Sequence, residues 1–230
     1  RRQRQMCIRD SIKPVNDYEQ IRRSIEQCLT NLGHQSQQLE LMEHIDFFRG
    51  HDLASSRLLA WLAPPGMQEW GPWQVTFAGM GNLFIPDTFK LDDKLLVLVM
   101  ELPILGVDAA FCGALVRSLM NGPYRQYQQQ ESLLLTQPHR LLDYLNLQLL
   151  ESGLRHSFAM AALLFDQEDG LLFANAGLTS PHWLMRAGGL PLGLMRSSRY
   201  TLHRRSWHEP FDLQFRSDSG SALTMQVRHH

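Results

Sequence analysis

The chain carries almost no net charge: 22 Lys and Arg stand against 23 Asp and Glu, leaving −1 at pH 7 with histidine neutral. That balance removes the broad electrostatic case for nucleic acid, which needs a surplus of Lys and Arg facing phosphate. Cysteine is scarce. Cys7, Cys28 and Cys112 lie far apart with no CxxC pair, so zinc and dithiol redox chemistry lack a frame. The expectation is reduced thiols in a cytoplasmic protein. Long apolar runs are missing too; stretches such as 95–100 are far too short to span a bilayer. No signal-peptide pattern is visible.

What is present suits a soluble globular fold. Of 230 residues, 44% are apolar and 20% charged, enough to fill an ordinary core. The length accommodates one good-sized domain plus a fragment or linker. Residues 1–10 are polar, basic and aperiodic. Lys13-Pro14 then precedes an amphipathic stretch in which Tyr18, Ile21, Ile25, Cys28 and Leu29 recur at helical spacing, with Asn16 or Asp17 as cap. A second helix is expected over 35–50, its stripe made by Leu41, Ile45 and Phe48. A third is expected over 53–62, stopped by Pro64-Pro65-Gly66. His34, His44 and His51 fall on this segment at no metal-ligand spacing.

Beyond residue 70 the pattern alternates in blocks. Strands are expected over 73–78, 95–101, 158–165, 170–175, 182–186, 200–207, 211–215 and 222–227. A helix is expected over 107–120, ended by Asn121-Gly122-Pro123. A longer one is expected over 131–152, interrupted or entered at Pro138 and burying Leu141, Leu142, Leu145, Leu149 and Leu150. Helices grouped between two sets of largely antiparallel strands predict an α+β fold, a layered β-sandwich flanked by helices.

Several motifs carry a resemblance. Residues 100–110, MELPILGVDAA, lie without a gap over a segment reading roughly GDVSGHGVPAA in metal-dependent serine phosphatases of the sporulation stage II protein E (protein-phosphatase-2C) type. Leu62-Ala63-Pro64-Pro65, Leu91-Asp92-Asp93-Lys94, Leu142-Asp143-Tyr144-Leu145-Asn146, Phe158-Ala159-Met160-Ala161, Asn175-Ala176-Gly177-Leu178 and 189–194 (GLPLGL) follow in the family's order. The resemblance covers about 61–227. It implies a pair of divalent ions, bridged by carboxylates, that activate water against phosphoserine. The metal-binding residues of that family are largely replaced. Aligned from Leu91, its first metal aspartate becomes Phe84, with Asp87 at a second acidic place. Glu101 stands for the aspartate of the second motif, and Leu105 and Leu178 stand where the family has histidines. The last motif, GD followed by a strand and TDG, is matched only over 220–223, so that its aspartate would be due beyond His230. Phosphate monoesters need up to about 10²¹-fold acceleration, and two stranded acids do not hold a two-metal site. The expectation is a pseudo-phosphatase with no cofactor, Asp87 and Glu101 surviving as vestigial acids that face solvent or a nearby Arg.

Lys13-Pro14 and the helix after it resemble the end of a two-component receiver domain, with Lys13 as its switch lysine. Three units follow: a receiver remnant over 1–30, a helical linker over 31–62 and a degenerate phosphatase-like domain over 63–230. Together with 58–65 (LLAWLAPP) and 119–122 (LMNG), they resemble RssB-like response regulators, although that group keeps an aspartate where Glu101 stands. The resemblance implies an adaptor that captures the stationary-phase sigma factor and hands it to a ClpX-type unfoldase, with an anti-adaptor protein as a further partner. An active phosphoserine phosphatase and a non-proteolytic antagonist switch remain the alternatives. Anchors for a partner are drawn from Phe48, Trp61, Trp73 and Arg204, within wider groups at Phe47, Trp70, Arg196, Arg199, His203 and Arg205. Such aromatics are more often core, and such charge runs more often solvated faces.

Overall fold

The computed structural model describes residue 60 and residues 66–79, 83–102, 107–152, 157–168 and 170–230. In the helix that begins at residue 107, side chains are described from residue 112. Strands β3 (Phe84–Leu91), β4 (Lys94–Glu101), β5 (Ala159–Asp166), β6 (Gly170–Ala176) and β7 (His203–Arg205) form one antiparallel sheet in that order. A second antiparallel sheet has the order β1 (Met67–Trp70), β2 (Trp73–Ala78), β9 (Ala222–His229) and β8 (Phe211–Arg216). Two helices, α1 (Val107–Gln128) and α2 (Pro138–Glu151), belong to a layer against the first sheet, and α3 (His182–Met185) is a single turn.

Side-chain periodicity explains the layering. In β4 all of residues 95–100 are buried. Leu95, Val97 and Val99 enter the core between the two sheets, while Leu96, Leu98 and Met100 enter the core beneath the helices. β5 repeats the division, with Ala161, Leu163 and Phe165 on one side and Met160, Ala162 and Leu164 on the other. A strand covered on both faces reads as a continuous apolar run. In the second sheet, β2 buries Trp73, Val75 and Phe77 and turns Gln74 and Thr76 outward. There β8 and β9 alternate in the same way, and that strict period of two marks a sheet with one wet face.

The inter-sheet core is strongly aromatic. Trp73 lies 5.6 Å from Trp207 and 6.3 Å from Phe165, and Phe165 meets Phe211 edge-on at 5.5 Å. The Trp73 indole donates to the Asp93 carbonyl at 2.7 Å, so its one polar atom is satisfied inside. On the helix side α2 starts at Pro138, where the missing N–H costs nothing, and buries Leu141, Leu142, Leu145 and Leu149.

The α+β sandwich flanked by helices is the architecture observed, with several local departures. Helix α1 passes through Asn121-Gly122-Pro123 and ends only at Gln128. Contacts beyond the proline hold these last turns: Tyr124 packs on Phe89 at 5.6 Å, and the Tyr127 hydroxyl donates to Asp92 at 2.6 Å. The expected strand over 182–186 is the turn α3, whose Leu184 is buried and whose Leu184 N–H donates to the Pro181 carbonyl at 2.9 Å. The strand expected over 200–207 shrinks to three residues, because Tyr200 is drawn inward to donate to the Leu190 carbonyl at 3.0 Å. Strand β3 has no clear alternation and contains Pro86, which an edge strand tolerates. The boundaries expected at 30 and 62 lie outside the described residues.

Replacing Leu163, fully buried between the sheets, by Ala should lower the unfolding free energy by about 2–5 kcal/mol. Gln226 on the outer face donates to Asp212 at 2.7 Å in an exposed pair, and Gln226→Ala should stay within about 0.5 kcal/mol. Guanidinium denaturation of the two variants beside the parent measures both.

Candidate functional site

Glu101 is the last residue of β4 and pairs directly with Phe84, the first residue of β3. Paired residues share a face, so both point toward the second sheet, where Phe84 is buried and lies 6.3 Å from Phe215. Asp87 is three positions along the same strand and therefore turns to the opposite face. There its carboxylate meets Arg117 of α1 in a two-pronged fork: Nε donates to Oδ2 at 3.0 Å and Nη2 to Oδ1 at 3.2 Å. With Met100, Met120 and Met160 this pair lines a small depression of about 10 Å³, open to solvent. Asp87 and Glu101 thus belong to different faces of one sheet and cannot act on one ligand.

The group brought near Glu101 is Asp218, in the turn between β8 and β9. Burial, and behind it the charge of Asp218, pushes the Glu101 carboxyl above its ordinary value of 4.5. The turn is braced by its own serines. Ser217 N–H donates to the Ser221 carbonyl at 2.9 Å, and Ser221 N–H to the Ser217 hydroxyl at 3.1 Å. Sequence reasoning missed Asp218 because it began the last family motif at Gly220. The signal was one hairpin earlier: Asp212, the alternating strand β8, then Ser217-Asp218 follow the GD–strand–TDG pattern, with Phe211 and Ser219 in place of its glycines.

These residues do not fit a two-ion centre. A buried phenylalanine fills the place expected of the first metal aspartate, and the other acid on β3 is held by an arginine on the far face. Among the described residues no three His, Cys, Asp or Glu side chains converge to hold a metal ion. Residues 103–106, with Leu105, lie outside the described residues.

Two asparagines of the resembling motifs do have definite work. Asn175 is buried and donates to the carbonyls of Leu178 and Leu184, both at 2.9 Å, while accepting from Leu178 N–H at 3.0 Å. It ties the end of β6 to α3, and Leu178, where the family has histidine, is itself core. Gly189 has φ +100, and a Cβ there would land on the Asn175 carbonyl. Asn146 of α2 accepts from Gly193 N–H at 2.9 Å and donates to the Met195 carbonyl at 3.0 Å. The loop over 188–200 is therefore clamped to the domain from two sides. Tyr200 secures its end: burial and then Asp143 push the phenol up to about 12, so it remains a donor to Leu190.

The expected partner anchors fare unequally. Trp73 is not one of them, because it is fully buried among Phe165, Trp207 and His229. Arg204 is exposed on the short edge strand β7. Lys13, Phe48 and Trp61 lie outside the described residues.

No protein-family model and no curated protein matches the chain. Among solved structures, that of the RsbU and RsbW domains of a Mycobacterium tuberculosis protein is similar, with a TM-score of 0.45 and 12% identity over 64% of this chain. The match takes in 55% of that chain, so the present chain spans about half its length.

A raised carboxyl pKa means that the folded state holds the Glu101 proton more tightly than the unfolded chain does. Its favourable contribution is complete below about 4.5 and is lost as pH rises through the folded value. Glu101→Gln should therefore raise the thermal midpoint at pH 7 and leave it unchanged near pH 4; equal shifts at both would exclude this linkage. Asn175→Ala strands three buried backbone groups and should cost about 2–4 kcal/mol at either pH, read by chemical denaturation.

Proposed function

We propose that the chain is a protein-binding output module built on a phosphatase-like scaffold, with no hydrolytic chemistry of its own. The observation that supports this reading is the burial of Phe84 against Phe215 where a metal-binding carboxylate is expected. The scaffold asparagines are kept beside that loss: Asn146 and Asn175 still clamp their loops. Fold alone does not confer a family's activity, and here the reacting groups have changed while the frame has not. In its finer form, and on the motifs that resemble RssB-like response regulators, the module is an adaptor. It captures the stationary-phase sigma factor for ClpXP proteolysis, and an anti-adaptor competes for it.

One observation favours a second reading. The charge of Asp218 reaches Glu101, adding to burial in raising its carboxyl pKa, and a pair of carboxylates is a starting point for a divalent-ion site. On that reading the chain is an active phosphoserine phosphatase in a partner-switching pathway.

Purified chain incubated with Mn²⁺ and a phosphoserine peptide should release no phosphate above the buffer control. Metal-dependent release abolished by Asp218→Asn would select the second reading. With purified ClpXP, the chain should accelerate sigma-factor degradation; binding with unchanged degradation would make it a non-proteolytic antagonist switch.

A further inference from the structure

Charge is divided sharply along this chain. Residues 170–208 contain Arg186, Arg196, Arg199, Arg204 and Arg205 and no Lys, Asp or Glu, a formal +5. With −1 for the whole, the remaining residues carry −6. The clamped loop over 188–200 lies inside this basic segment. Its backbone is held from within: Leu192 is fully buried and bridges Phe158, with N–H to carbonyl distances of 3.2 and 2.9 Å. Asn146 grips Gly193 and Met195, and Asp143 accepts from Tyr200 N–H at 3.2 Å.

The loop's large apolar side chains nevertheless face water. Leu190 is 44% exposed, Leu194 50% and Met195 49%. A surface loop is ordinarily polar, and clustered apolar exposure on a fixed backbone marks a contact surface. Arg196 is two-thirds exposed and reaches Glu151 only at 3.6 Å. Arg199 donates to the carbonyls of Arg196 and Ser198, at 3.3 and 2.8 Å, which draws its guanidinium over the loop. A backbone already fixed in place loses little entropy on binding, so such a loop is preorganised for contact.

The chemistry of the loop selects the partner. A positive surface calls for a negative one, and the guanidinium fork suits planar carboxylates. Leu and Met between the arginines need apolar side chains opposite them, which a phosphodiester backbone does not offer. A membrane surface would engage aromatic side chains at its headgroups. Here Trp183 meets Phe173 edge-on at 4.8 Å and carries the Arg205 guanidinium over its ring at 4.8 Å, while Trp207 lies in the inter-sheet core. We infer that the loop over 188–200 is a docking surface for an acidic amphipathic segment of a partner protein. Leu190, Leu194 and Met195 receive its apolar side chains, and Arg196 and Arg199 its carboxylates. The inference rests on the loop and on the charge division, and it stands or falls independently of the adaptor and phosphatase readings.

The test uses the full chain and a fluorescent peptide about four helical turns long, with Leu and Glu at helical spacing. Anisotropy titration should give a Kd on the order of 10–100 μM, weakening as salt is raised. The double variant Leu194→Ser with Met195→Ser, and separately Arg196→Glu, should each weaken binding about tenfold with an unchanged thermal midpoint. Replacing every Glu of the peptide by Gln should remove binding. Any of four results would overturn the proposal: no binding by about 1 mM, binding unaffected by both variants, equal binding of the Gln peptide, or preferential partition onto phosphatidylserine vesicles.

Discussion

Strands β4 and β5 are apolar on both faces, and neither face can be left to water. One face demands a helical layer and the other a second sheet, so the three-layer order follows from this pair of strands alone. Their backbone hydrogen bonds are satisfied by each other and by β3 and β6, which places the sheet edges at β3 and β7. Polar residues gather at the edges and at the strand ends. Pro86 sits on one edge, the arginines of β7 sit on the other, and Lys94 at the start of β4 is paired with Asp166 at the end of β5.

The same two-faced sheet decides the chemistry. Because successive residues alternate sides, Glu101 and Phe84 look into the sandwich while Asp87 looks toward the helices. Two acids that seem close in a motif list are therefore separated by the thickness of a sheet. Asp218, remote in sequence in the β8–β9 turn, adds its charge to the burial that raises the Glu101 carboxyl pKa. Directly opposite Glu101 on β3, Phe84 packs on Phe215. The clamped loop lies at this same end of the strands, because Phe158, which bridges Leu192, directly precedes the Ala159 that pairs with Glu101. There, Asn146 and Asn175 fix the backbone of a loop whose side chains face outward.

Where periodicity was strong it was sufficient. The run over 95–100 and the alternating strands around Val75, Leu213 and Met225 are legible because burial on two faces or one leaves different patterns in sequence. Signals failed where a local rule met a tertiary contact. Asn121-Gly122-Pro123 carries a strong stop, but Tyr124 on Phe89 and Tyr127 to Asp92 hold the helix past it. The stretch His182 to Met185 has an apolar, strand-like composition, yet Asn175 captures the Leu184 carbonyl and fixes a helical turn. Trp73 in sequence allows either anchor or core, with core the commoner fate of such an aromatic, and the positions of Phe165 and Trp207 make it core.

By itself the sequence determined the fold class and most strands of the two sheets, and it displayed Phe84 and Leu178 where the resembling phosphatases carry an aspartate and a histidine. These depend on side-chain type and short-range period, which a linear chain displays directly. Only the tertiary structure decided which acids meet, which aromatic is core, and which apolar residues remain in water. Glu101 with Asp218, and Leu194 and Met195 above a loop clamped by Asn146, are products of long-range closure. Facing direction and proximity across layers are set by how sheets stack, and no local pattern encodes that.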